Sequence, residues 1–60
     1  MNNENLNEIL ERHLEISEKL HDLIILSEMK FDDLLFLLSA EENVMKSYVL
    51  LKCLMVKHDR

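Results

Sequence analysis

Large apolar residues recur at alternating spacings of three and four positions along both halves of this 60-residue chain. This spacing places them on one side of an α-helix, so each half carries an apolar seam. A polar-dominated segment, SEMKFDD at residues 27–33, separates the two series. The pattern therefore predicts two amphipathic helices. The first seam consists of Leu6, Ile9, His13, Ile16, Leu20 and Leu23, and the second of Leu34, Leu37, Glu41, Val44, Tyr48, Leu51 and Met55.

The chain contains neither glycine nor proline, the usual residues of tight turns and helix breaks. Leu, Glu, Lys, Met and Ile dominate it, and all but the β-branched Ile are strong helix formers. These features predict an all-α fold with a single domain over residues 1–60. We expect helix 1 at about residues 3–29, a turn at about 29–32 and helix 2 at about 32–57.

A few polar residues indicate where the first helix ends and the second begins. Asp32 or Asp33 suits the N-terminal cap of helix 2, and Lys30 suits the negative end of helix 1. Ser39 and Glu42 form the capping-box pattern S-x-x-E, which offers a rival break near residue 39. One continuous helix is a third possibility, because nothing in the composition forces a break.

Folding the chain back near residue 30 aligns the two seams along their length. Ile9 then lies opposite Leu51, and Lys19 lies opposite Glu41, the one acid on the second seam. Two antiparallel helices joined in this way form an αα-hairpin. We therefore expect an antiparallel two-helix hairpin with a contact between Lys19 and Glu41.

Two runs of consecutive apolar residues, LIIL at 23–26 and LLFLL at 34–38, exceed what one seam can bury. Consecutive large residues surround a helix, so a single neighbouring helix leaves part of them uncovered. A chain of this length is also only marginally stable by itself, and its single cysteine excludes an internal disulfide. A homodimer that forms a four-helix bundle answers both problems. The expected dimer or partner-binding residues are Leu23, Ile24, Ile25, Leu26, Leu34, Leu35, Phe36, Leu38, Met45, Tyr48 and Met55.

Side chains that could carry chemistry are few. Glu18 and His21 form E-x-x-H, the ligand spacing of helical di-iron bundles, but both fall on or near the acidic, solvent-facing side of helix 1. Cys53 is more typical of a small buried hydrophobe than of a nucleophile. His13, on the first seam, is typical of a buried or half-buried core histidine. We expect no enzymatic activity, no metal, no cofactor and no small-molecule substrate.

The charge pattern bears on partners and location. The formal net charge is −5, whereas phosphate binding draws on clustered Lys and Arg, so nucleic acid is not the expected partner. No apolar run approaches the ~20 residues that span a bilayer. The N-terminal MNNENLNEIL also lacks the basic-then-apolar pattern of a signal peptide. These features predict a cytoplasmic protein with no membrane segment.

Two resemblances suggest functions. The length and the turn near residue 30 resemble the Rop family of plasmid copy-number regulators, hairpins that dimerise into a four-helix bundle and bind paired RNA loops. No RNA-contacting motif of that family is matched residue by residue. The segment FDDLLFLLSAEENVM resembles the helical chaperones of flagellar and type III export. We therefore expect a non-enzymatic protein-interaction module, an adaptor, regulator or export-type chaperone, with a Rop-like RNA- or DNA-binding regulator as the alternative.

Overall fold

A computed structural model describes residues 3–58 as two α-helices that pack against each other. Helix α1 runs from Asn3 to Leu26 and helix α2 from Phe31 to His58. The described part of the chain is a rod of 46 × 14 × 11 Å, the shape of two helices lying side by side. The predicted all-α hairpin is confirmed. The alternatives of one continuous helix and of a break at Ser39 are wrong, because α2 passes through Ser39 without interruption.

The connection between the helices comprises residues 27–30. The Ser27 N–H donates to the Leu23 carbonyl at 3.1 Å, which completes the last turn of α1. Helix α1 therefore ends three residues before its predicted end at about residue 29. The prediction placed the turn beside Lys30, Asp32 and Asp33 as capping residues. The last residue of α1, Leu26, is 82% exposed, so packing against α2 supports the end of the helix only weakly.

The N-cap position of helix α2 is Lys30 and not one of the two aspartates. The Leu34 N–H donates to the Lys30 carbonyl at 3.0 Å, so Lys30 occupies the cap position. Asp32 and Asp33 lie in the first turn, where their negative charges favour the positive end of the helix dipole. The predicted role of Lys30 at the end of α1 is wrong, because no basic residue lies in the last turn of that helix.

The second apolar seam is confirmed, but the first one is displaced around its helix. Every residue of the predicted seam on α2 is at least half-buried. On α1, half of the predicted seam is exposed, and residues one position further along face α2 instead. The displaced residues are Ile9, Ile16 and Leu23, and those that replace them are Leu10, Ser17 and Ile24.

A hairpin of two helices has almost no interior. Among residues 3–58, only Leu6 and Leu10 are buried, each 5% exposed. Fifteen large hydrophobic side chains in the same range are exposed, so most of the apolar surface is not used in packing α1 against α2. Packing between α1 and α2 therefore accounts for only a small part of the apolar residues in the described part of the chain.

Candidate protein-binding surfaces

Three side-chain contacts between the helices fix their alignment. The contact of His13 joins the residues that the predicted pairing about residue 30 places opposite each other. In each of the other two contacts, the α2 residue lies two positions further along the chain than that pairing predicts. A helix turns about 100° per residue, so positions on each helix can be assigned to one side of the hairpin or the other. The three contacts are His13 Nε2 with Ser47 Oγ at 3.0 Å, Ser17 Oγ with Met45 Sδ at 3.2 Å, and His21 Nδ1 with Glu41 Oε1 at 3.6 Å.

His13 is a half-buried structural residue, as predicted. Its Nδ1 lies 2.8 Å from the Ile9 carbonyl, and a carbonyl can only accept, so Nδ1 carries a proton and donates it. In the neutral ring, Nε2 then accepts a hydrogen bond from the Ser47 hydroxyl. Both ring nitrogens are thereby engaged within the hairpin.

Glu41 meets a different partner from the predicted one. Its carboxylate lies 3.6 Å from the His21 ring, and no ion pair joins it to Lys19 within residues 3–58. The rotation of α1 that moves Ser17 onto the seam also carries position 21 toward α2 and position 19 away from it. Since the His21 side chain is 60% exposed and the carboxylate 25% exposed, this pair contributes at most about 1 kcal/mol.

The outward part of α2 carries a second set of residues at alternating spacings of four and three. This set, the outer α2 stripe, lies roughly 100° around the helix from the inner seam. All of its members are exposed, and six of the eight are apolar. Because Met45 belongs to it, the stripe lies on the side of the hairpin where Ser17 meets Met45, the Met45 side. Its members are Phe31, Leu35, Leu38, Glu42, Met45, Val49, Lys52 and Val56.

Helix α1 has a corresponding set, the outer α1 stripe, on the opposite side of the hairpin. That side contains Ser47, so we call it the Ser47 side, and Phe36, Leu50 and Leu54 of α2 share it. Phe36 is 78% exposed and Leu50 64% exposed. The outer α1 stripe consists of Ile9, Arg12, Ile16, Lys19, Leu23 and Leu26, all exposed.

The two stripes differ in charge. The outer α1 stripe contains two cations, Arg12 and Lys19, and no acid. Arg12 is paired at 2.8 Å with Glu8 of the preceding turn, a contact between two well-exposed side chains. The outer α2 stripe contains one acid, Glu42, and one base, Lys52. The two stripes therefore present different charges to solvent.

The predicted interface residues divide into two groups. Seven of them are exposed, whereas the other four lie partly covered in the contact between α1 and α2. The predicted set of interface residues did not include Phe31, Val49 and Val56, which belong to the outer α2 stripe. Their heptad spacing was available as a signal, but Glu42 and Lys52 interrupt it. The partly covered residues are Ile24, Leu34, Tyr48 and Met55, and the exposed ones are Leu23, Ile25, Leu26, Leu35, Phe36, Leu38 and Met45.

Chemistry-bearing groups are scattered over the surface. Cys53 is exposed, so its predicted burial is wrong: it lies on the side of α2 away from α1. Glu18 is exposed, and its neighbour His21 contacts Glu41. No group of three or more His, Cys, Asp or Glu in residues 3–58 could hold a metal ion. A shallow groove lined by Asp32, Leu35, Phe36 and Ser39 lies on α2 and is open to solvent.

Neither described helix is both long enough and apolar enough to cross a membrane. Comparisons with protein-family models, curated protein sequences and solved structures found no match.

Proposed function

We propose that this chain is a small, non-enzymatic protein–protein interaction module of the cytoplasm, an adaptor, regulator or export-type chaperone. In this proposal the hairpin dimerises into a four-helix bundle and binds an amphipathic helix of another protein. The observation that supports it most is the exposure of apolar stripes on both sides of a hairpin with two buried residues in its described part. Contiguous exposed apolar surface of this kind is typical of interaction sites.

The partner of the outer α1 stripe is an acidic amphipathic helix. Ile9, Ile16 and Leu23 provide apolar contacts at heptad spacing, the geometry of a helix docked along a groove. Arg12 and Lys19 follow the same stripe, and like charges facing each other across an interface are unfavourable. A second copy meeting this stripe would bring cations together, whereas an acidic helix would pair with them.

Binding of a synthetic helical peptide tests this function. The probe has leucine at heptad spacing with glutamate at the flanking positions, and its matched control has lysine in place of glutamate. We expect fluorescence anisotropy to show binding of the glutamate peptide in preference to the lysine peptide. The double variant Arg12→Glu/Lys19→Glu should reverse the preference.

The control variant Lys46→Glu/Lys57→Glu makes the same change in net charge away from the outer α1 stripe. It should retain the preference for the glutamate peptide. Equal binding of both peptides, or no binding of either to a chain whose helicity is intact, would contradict the proposal.

A further inference from the structure

We propose that a second copy of this chain covers the outer α2 stripe from Leu38 to Val56, with the two α2 helices antiparallel and related by a two-fold axis at the level of Ser47. This inference rests on the dimerisation proposed above and specifies its surface, orientation and register. It follows from the only two interruptions of the stripe, Glu42 and Lys52, which are equally far from position 47.

Charge excludes the parallel arrangement. In a parallel pair each residue faces its own copy, so Glu42 would face Glu42 and Lys52 would face Lys52. Charged residues inside an apolar seam specify orientation and register because a mismatch leaves them repelled or unpaired. In the antiparallel pair about Ser47, Glu42 of each copy faces Lys52 of the other. The dimer then contains two pairs of opposite charge, and no charged residue of the paired segment faces an apolar one.

The same pairing gives apolar layers between the charges. Met45 faces Val49 of the second copy on both sides of the axis, and Leu38 faces Val56. The heptad spacing permits another antiparallel register, centred between residues 43 and 44. That register would place Glu42 against Met45 and Lys52 against Leu35, which leaves four charges facing apolar residues. The register about Ser47 avoids this cost, and it leaves Phe31 and Leu35 outside the paired segment.

Helix α1 supplies an independent check on the register. The contact of His13 with Ser47 places position 13 at the level of the axis. The neighbouring Leu14 is exposed on the Met45 side, so it meets Leu14 of the second copy at the axis. The other register would move the axis to the level of Glu18, which is also on this side, and would bring two carboxylates together. The register about Ser47 was inferred from the charges of α2 alone, and it also buries Leu14, an exposed apolar residue of α1.

Charge reversal tests the register directly. Glu42→Lys gives two facing lysine pairs per dimer, and Lys52→Glu gives two facing glutamate pairs. We expect each single variant to weaken dimerisation by about tenfold or more in sedimentation equilibrium. The double variant Glu42→Lys/Lys52→Glu restores opposite charges and should dimerise like the unmodified chain. A mixture of the two single variants should form heterodimers, because each of the two facing pairs of the heterodimer is then one lysine opposite one glutamate.

Matched controls are Glu15→Lys and Lys57→Glu, which reverse charges outside the outer α2 stripe and should dimerise normally. Single variants that dimerise as tightly as the unmodified chain would overturn the inference. So would a double variant as weak as the singles, or an unmodified chain that stays monomeric. The first two results contradict the register alone, whereas a monomeric unmodified chain contradicts the proposed dimerisation as well. Peptide binding by the outer α1 stripe is a separate readout in all three cases, so failure of the register and failure of the proposed protein binding can be told apart.

Disulfide trapping provides a second measurement that does not depend on charge. In a Cys53→Ser background, one chain carries Met45→Cys and another carries Val49→Cys. Oxidation of the mixture should join the thiols at positions 45 and 49 in a disulfide. This disulfide should form faster than the disulfide between two copies of either variant alone. Faster linkage of like positions would show a parallel pair and overturn the inference.

Discussion

Replacing Leu10 with alanine removes one of the two side chains that the hairpin buries in its described part. Leucine-to-alanine changes at buried positions cost about 2–5 kcal/mol, because the removed methyl groups lose their burial and leave a cavity. Folded chains have about 0.05–0.15 kcal/mol of stability per residue, which gives roughly 3–9 kcal/mol for a chain of this length. Leu10→Ala is therefore expected to remove a large fraction of the free energy of unfolding.

The assay is thermal unfolding followed by circular dichroism, with all variants at one concentration because dimerisation couples stability to concentration. A loss of about 2 kcal/mol lowers the midpoint of a small domain by roughly 8–16 °C. The matched control is Leu50→Ala, which makes the same chemical change at a residue that is 64% exposed. It should change the free energy of unfolding by no more than about 0.5 kcal/mol. Equal effects of the two substitutions would refute the packing described here.

Three further substitutions test local features of the hairpin. Lys30→Ser places a preferred capping side chain before α2 and should raise the free energy of unfolding by about 0.5–1 kcal/mol in urea denaturation, whereas a loss would contradict the cap assignment. Glu41→Leu should raise the urea midpoint, because an apolar residue on the inner seam contributes more than the partly exposed contact with His21; a lower midpoint would show that this contact matters more than its geometry implies. Arg12→Ala should cost only about 0.3–0.5 kcal/mol, since its pair with Glu8 is exposed, and a cost above about 1 kcal/mol in the same titration would count against that reading.

The class of fold was predictable because composition and periodicity agree. The absence of glycine and proline favours helix throughout, and the spacing of Leu34, Leu37, Val44, Leu51 and Met55 identifies one side of α2 without ambiguity. The break in the chain was placed only approximately. Its location depends on where packing stops supporting α1, and local propensity does not encode that.

The side of α1 that faces α2 was not predictable from spacing alone. Leu6, His13 and Leu20 belong both to the predicted seam and to the observed one, and the two sets differ by a rotation of less than a quarter turn. The prediction favoured Ile16 because it is apolar. The observed set contains Ser17 instead, whose small side chain contacts Met45 of α2.

The apolar excess of LIIL and LLFLL was a correct signal of exposed surface, since Ile25, Leu26 and Phe36 are among its members. Its division into two sides was not predictable, because that requires the alignment of the helices. Once the three contacts between the helices fix this alignment, the two outer stripes can be told apart by charge: the outer α1 stripe contains two cations, and the outer α2 stripe contains one acid and one base.

The central claim is that this hairpin is stable only when it associates. Sedimentation equilibrium of the unmodified chain tests this claim most directly, with helicity followed by circular dichroism over the same concentrations. We predict a species of twice the chain mass at micromolar concentration that loses both mass and helicity together on dilution. A fully helical species of single-chain mass at every concentration would contradict the claim, because the exposed apolar stripes would then need no partner.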